Sequence, residues 1–117
     1  MGFQVGIGYD IHRRVAGRPL VLGGVTIPGD WGLEGHSDAD VLSHAVGDAL
    51  LGAVSLGDLG RHFPPDDPRW KDSSSIELLG LIAALLAGRG ATVVNVDVTV
   101  VAEEPKLAPL REAMCRN

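Results

Sequence analysis

The alternation from Thr92 to Ala102 constrains this chain more than any other feature. Val94, Val96, Val98 and Val100 fall on one face of a strand, with Asn95, Asp97 and Thr99 on the other. Phe3 to His12 reads as another strand, carrying β-branched or aromatic side chains at Val5, Ile7, Tyr9 and Ile11. Pro19 to Pro28 holds two short apolar runs about Gly23-Gly24, the pattern of a hairpin. A helix is expected from an N-cap at Ser37 to about Val54, with Asp38 and Asp40 at the positive end of its dipole. Ser74 and Glu77 form a capping-box pattern for a second helix, which Gly90 stops. Its apolar residues, from Ile76 to Leu86, cover most of the circumference, so it is expected to be largely buried. A short third helix begins near Leu107 to Pro109. Between the first two helices, Ser55 to Ser73 is irregular, with Pro64, Pro65 and Pro68 among its turn residues. Loops of that length inside a compact domain are often functional.

Composition narrows the classes of function. The 117 residues make one domain, 1–117, without repeat or linker. Ten Lys and Arg against 15 Asp and Glu leave a net charge of −5, and 4% of residues are aromatic. Both values argue against a nucleic-acid partner and a base-stacking platform. Leu78 to Ala87, the longest strongly apolar run, is far shorter than the roughly 20 residues of a spanning helix, so no membrane partner is expected. No basic segment followed by an apolar stretch opens the chain, and Gly6 stands where a myristoylation signal needs Ser or Thr. The expected location is the cytoplasm. The single Cys115 excludes an internal disulfide and a multi-cysteine zinc site, leaving His and carboxylate to hold any metal.

Asp10 and His12 lie two apart on the first strand and point to the same face. His36 and His44, eight residues apart, share roughly one side of the first helix if both are helical. Asp10, His12 and His44 would give two imidazoles and one carboxylate with an open fourth position, the pattern of a catalytic zinc site. Spacing alone is also met by surface histidines and helix-dipole carboxylates, and does not force His44 to reach the pair. Gly6-Ile7-Gly8 is not a dinucleotide fingerprint, because Ile11 stands at the third glycine and no helix follows. These glycines instead permit close backbone approach within a strand. His36 and Ser37 could meet a phosphate at a helix start, or Ser37 could serve only as a cap. The surrounding aspartates would repel an anion unassisted, so a phosphate site here favours a divalent cation.

Several long motifs occur in order: GYDIH at Gly8–His12, LGGVTIP at Leu22–Pro28, GHSDADVLSHAVGDALLGA at Gly35–Ala53, LGDLGRHFPPDDPRWKDSSS at Leu56–Ser75 and NVDVTVVAEEPKL at Asn95–Leu107. Together they strongly resemble the 2-C-methyl-D-erythritol 2,4-cyclodiphosphate synthase family of the non-mevalonate isoprenoid pathway, over nearly the whole chain. The resemblance implies an α+β fold in which a mixed four-stranded β-sheet packs on helices, the chorismate-mutase-like arrangement. It implies a CMP-releasing, cyclising lyase, with Asp10, His12 and His44 as zinc ligands and His36 stabilising the transition state. Asp10, His12, His36 and Ser37 would also touch substrate. Asp58, Leu59 and Gly60 match positions around the erythritol portion, and Phe63, Pro64, Pro65, Asp66 and Asp67 match the neighbouring substrate loop. Ala102, Glu103, Glu104, Pro105, Lys106, Leu107 and Ala108 match the segment lining the cytidine and phosphate pocket. Magnesium or manganese would accompany the nucleotide-diphosphate substrate, and a homotrimer would place the active sites between subunits.

The resemblance carries one departure. Family chains continue by roughly a quarter of their length, adding the rest of the third helix and two strands. One of those strands lies between Phe3–His12 and Thr92–Ala102, which would each lack a ladder partner. Unpaired buried backbone groups cost roughly 1–3 kcal/mol each. The 117-residue form is therefore expected to be an incomplete fold that turns over little substrate, or a metal-binding or oligomerising remnant.

Overall fold

The computed structural model describes residues 2–117. Four short strands come first: β1 (Arg14–Ala16), β2 (Leu20–Leu22), β3 (Val25–Ile27) and β4 (Trp31–Leu33). They form two antiparallel pairs, β1 with β4 and β2 with β3. The register sets Val15 opposite Gly32 and Val21 opposite Thr26. The expected hairpin is β2–β3, and its turn needs glycine because Gly23 and Gly24 have φ of +56° and +76°. Helices follow: α1 (Val41–Ala53), α2 (Leu59–His62), α3 (Ser75–Gly88) and α4 (Arg111–Arg116). Single 3₁₀ turns occupy Pro68–Trp70 and Ala108–Leu110. The fold is α+β, with antiparallel strand pairs and helices packed together.

Two apolar clusters hold these elements. Leu51 and Val54 of the α1 end meet Ile82 and Leu86 of α3, with Leu59 and Phe63 packed against them. Leu20, Leu22 and Ile27 of the hairpin bury against Val41, Leu107 and Met114. Only one face of α3 is buried: Leu78, Ile82 and Leu86 point inward, whereas Leu81 and Leu85 are 47% and 38% exposed. The expectation of a largely buried helix is thus corrected, since α1 covers a single side.

Among the described residues, neither Phe3–His12 nor Thr92–Ala102 forms a ladder. Alternation prepares a chain for pairing, but a strand exists only with a neighbour to accept its hydrogen bonds. The first segment lies instead along α1. A Cβ at Gly6 would stand 1.9 Å from the Ala49 carbonyl oxygen, and one at Gly8 would stand 1.8 Å from that of Ala45. Only glycine allows this approach. The odd-numbered Phe3, Val5, Ile7, Tyr9 and Ile11 are exposed, as are Val94, Val96 and Val101 on the second segment.

Candidate metal centre and adjoining cavity

The close seat of Gly6 and Gly8 on α1 turns the even positions of that segment toward the helix. Asp10 and His12 follow at the same parity and meet His44, one turn into α1. Asp10 Oδ2 lies 2.9 Å from His12 Nε2 and 3.1 Å from His44 Nδ1. One ligand atom from each of the three residues falls within 4.8 Å of the others, and all three side chains are partly buried. Two imidazoles and one carboxylate suit a divalent transition metal and leave room for a further ligand. The residues present fit such an ion.

The electrostatics agree with that geometry. Burial alone pushes the Asp10 carboxyl up, but hydrogen bonds and charge from His12 and His44 outweigh it and hold the group well below the usual carboxylate range. The hydrogen bond with Asp10 raises His12 above its ordinary value, against burial, and the Glu34 carbonyl helps. That carbonyl lies 2.6 Å from His12 Nδ1 and leaves Nε2 for the centre.

The helix start differs from expectation. Asp40, not Ser37, is the N-cap of α1, its side chain accepting from Ser43 N. Asp40 is fully buried and also accepts from Gly23 N and Gly24 N, which ties the hairpin turn to the helix start. His36 and Ser37 therefore precede the helix in a turn where Ala39 has φ +56°. That left-handed conformation costs a non-glycine residue about 1 kcal/mol and persists because neighbouring bonds determine it. Arg18 donates to the carbonyls of Gly35 and Ser37 and so clamps the turn from the strand side. On the other side, Asp72 N donates to the His36 carbonyl at 2.9 Å and Asp38 N to the Ser73 carbonyl at 3.0 Å.

A cavity of about 440 Å³ opens beside the three ligands. Asp10, His12, His36, Ser37, His44, Asp58, Leu59, Gly60, Phe63 and Pro65 line it, all residues singled out from sequence. Asp58 is also the N-cap of α2, accepting from Arg61 N. Pro64, Asp66 and Asp67 do not line this cavity. Asp67 caps the 3₁₀ turn and pairs with Arg69 at 2.7 Å, and the hydrogen bonds from Arg69 lower its carboxyl. Nor does the 102–108 segment enter it. Ala102, Glu104 and Pro105 border a second groove of about 440 Å³, which Asp10 and His12 also reach. Leu107 packs into the hairpin cluster.

Sequence reasoning missed four lining residues: Gly35, Asp48, Trp70 and Leu78. Asp48 sits four residues after His44 on α1, so helical periodicity could have found it. Its Oδ1 accepts from Leu59 N at 2.8 Å and holds the start of α2 against α1. Burial raises the Asp48 carboxyl above its ordinary value, against the Leu59 amide and with the help of Asp58. Trp70 packs edge-on against Phe63 at 5.0 Å, and its indole N–H has no partner among the described residues.

Fold and site together define a class: a small α+β protein that can hold a divalent metal on an Asp/His/His set in the wall of a cavity. The model of the YgbB family matches residues 3–117. The chain belongs to that family, whose relatives carry the name 2-C-methyl-D-erythritol 2,4-cyclodiphosphate synthase. The Dechloromonas aromatica relative is 61% identical over 117 residues, covering all of this chain and 73% of that protein. The Gloeobacter violaceus relative is 62% identical over 110 residues, covering 92% of this chain and 68% of that protein. A CDP-bound structure of a synthase of this name superposes with a TM-score of 0.88 at 42% identity, covering 96% of this chain and 75% of that one. The Plasmodium falciparum IspF–CDP complex superposes with a TM-score of 0.81 at 31% identity, over 98% and 70% respectively.

Proposed function

We propose that this chain cyclises 4-diphosphocytidyl-2-C-methyl-D-erythritol 2-phosphate to 2-C-methyl-D-erythritol 2,4-cyclodiphosphate and releases CMP. The convergence of Asp10, His12 and His44 in the cavity wall carries this reading. An oxygen of the substrate's 2-phosphate attacks the β-phosphorus. The bond from that phosphorus to the bridging oxygen breaks, and CMP departs with the oxygen. A divalent ion on the three ligands, zinc in this reading, supplies Lewis acidity at the β-phosphate when bound. His36 and Ser37 hold phosphate oxygens as charge shifts toward the leaving group, in a reaction where catalysis is mostly positioning and charge neutralisation. Asp58 and the backbone of Gly60 take the erythritol hydroxyls beside Leu59, and Phe63 and Pro65 close that end.

The segment Ala102–Ala108, Lys106 included, serves the cytidine and phosphates of a neighbouring subunit in a homotrimer, with magnesium or manganese on the diphosphate. None of its residues lines the first cavity, which supports a role toward another copy. The reading places the chain in the cytoplasm; no helix among the described residues is long and apolar enough to cross a membrane.

The unladdered segments Phe3–Ile11 and Val94–Val101, with their exposed apolar side chains, favour a second reading, metal binding without turnover. A coupled assay separates the two, using the zinc-loaded chain with magnesium and substrate. CMP and the cyclic diphosphate in equal amounts support synthesis. Bound zinc without CMP supports the second reading, and inorganic phosphate overturns both in favour of a hydrolase.

A further inference from the structure

His12 donates its outer hydrogen bond to a backbone carbonyl, but His44 makes its own with side chains. His44 Nδ1 faces Asp10, so Nε2 points away from the centre. There it meets Ser75 Oγ at 2.8 Å and Ser37 Oγ at 3.1 Å. Ser75, 1% exposed, is the first residue of α3, and its hydroxyl donates onward to Asp38 Oδ1. Its backbone N–H donates to the other oxygen of the same carboxylate at 2.9 Å. The helix does not need the Ser75 hydroxyl as a cap, because the Ser74 side chain already accepts from Glu77 N.

We propose that Ser75 and Asp38 are positioning residues for the metal ligand His44, forming a relay from its Nε2–H through the Ser75 hydroxyl to the Asp38 carboxylate. This inference rests on the metal reading of Asp10, His12 and His44. With the metal at Nδ1, the ring proton must sit on Nε2 and needs an acceptor. Ser75 can accept because its own proton goes to Asp38, whose carboxylate takes no other role than to receive N–H and O–H donors. A carboxylate at the end of such a chain orients the imidazole and strengthens it as a ligand. The relay also divides labour between the two serines. Ser75 holds the ring, and Ser37, the more distant partner and a lining residue of the cavity, keeps its hydroxyl for phosphate. The N-terminus of α3 thereby becomes part of the metal centre without touching the ion.

Zinc affinity of the full chain, measured by competition with a chromophoric chelator, tests this. Ser75→Ala is expected to weaken binding about tenfold, within the range typical of lost outer-shell partners, and to alter the visible spectrum of the cobalt-loaded protein. Ser37→Ala is expected to stay within about threefold of wild type. Melting curves of the metal-free proteins show whether each variant folds. Equal affinity and an equal cobalt spectrum in Ser75→Ala and wild type would overturn the relay and leave the metal site standing. A wild-type chain that binds no zinc overturns both. Nitrogen-15 NMR of the zinc-loaded wild type needs no variant: ligation through Nδ1 with a slowly exchanging Nε2–H is expected, and ligation through Nε2 overturns the proposal.

Discussion

Replacing Asp40 by alanine tests the joint that sets His44 in place. The carboxylate is fully buried and accepts four hydrogen bonds: Gly23 N at 2.9 Å, Gly24 N at 2.8 Å, Ser43 N at 3.0 Å and Ser43 Oγ at 2.8 Å. Loss of the helix cap costs about 1 kcal/mol. Two turn amides lose a charged acceptor, at roughly 1.5–3 kcal/mol each, and part of this is returned because a buried charge is removed. The net cost is about 3–5 kcal/mol, against a total stability of about 5–15 kcal/mol. For a chain of this size that lowers Tm by about 10–20 °C. Asp40→Asn keeps one oxygen but sets an amide N–H against the Gly24 N–H or another donor, so it should cost about half as much. Urea titration and thermal melting of the three metal-free proteins give the comparison. A loss below about 1 kcal/mol in Asp40→Ala, or equal losses in the alanine and asparagine variants, would refute the reasoning. Because Asp40 immediately precedes α1, Asp40→Asn should also weaken zinc binding through His44, even at temperatures where it stays folded.

The remaining predictions separate metal ligation, phosphate contacts and fold stability. His44→Ala should lower zinc affinity at least about a hundredfold, whereas His36→Ala should leave affinity unchanged and lower kcat for CMP release about a hundredfold; equal zinc occupancy in wild type and His44→Ala removes His44 from the ligands. Arg18→Gln releases the carbonyls of Gly35 and Ser37. It should cut kcat about tenfold or more with zinc affinity nearly unchanged, and unaltered kinetics would show that the clamp does not position His36. Asp48 has a folded value raised above 3.8, so its ionised form opposes folding above that raised value, and the penalty fades as pH falls below 3.8. Asp48→Asn keeps an acceptor for Leu59 N and should gain roughly a few tenths of a kcal/mol near pH 7, the partly exposed side chain being screened, with no gain near pH 3. Urea unfolding at both pH values checks this, and a less stable variant at pH 7 contradicts it.

What the sequence disclosed follows from which interactions are local. The Gly23-Gly24 hairpin, the Ser74 cap and the ends of α3 depend on residues a few positions apart, and all lie where the pattern places them. The start of α1 was misplaced at Ser37 because two aspartates and a serine compete for the cap. Asp40 wins through the amides of Gly23 and Gly24, donors 17 and 16 residues away that no helical window contains. Segments Phe3–His12 and Thr92–Ala102 show the reverse case. Their alternation was legible, yet pairing is a property of two segments and no ladder forms. The even positions of the first segment still had meaning: glycine at 6 and 8 permits contact with Ala49 and Ala45, and the same parity carries Asp10 and His12 to His44. The metal set was thus readable as a parity rule on one segment joined to one position on a helix. Its outer partners were not, because Asp38 and Ser75 meet across 37 residues, and serine beside a helix cap looks the same in sequence whether its hydroxyl holds a helix or a histidine.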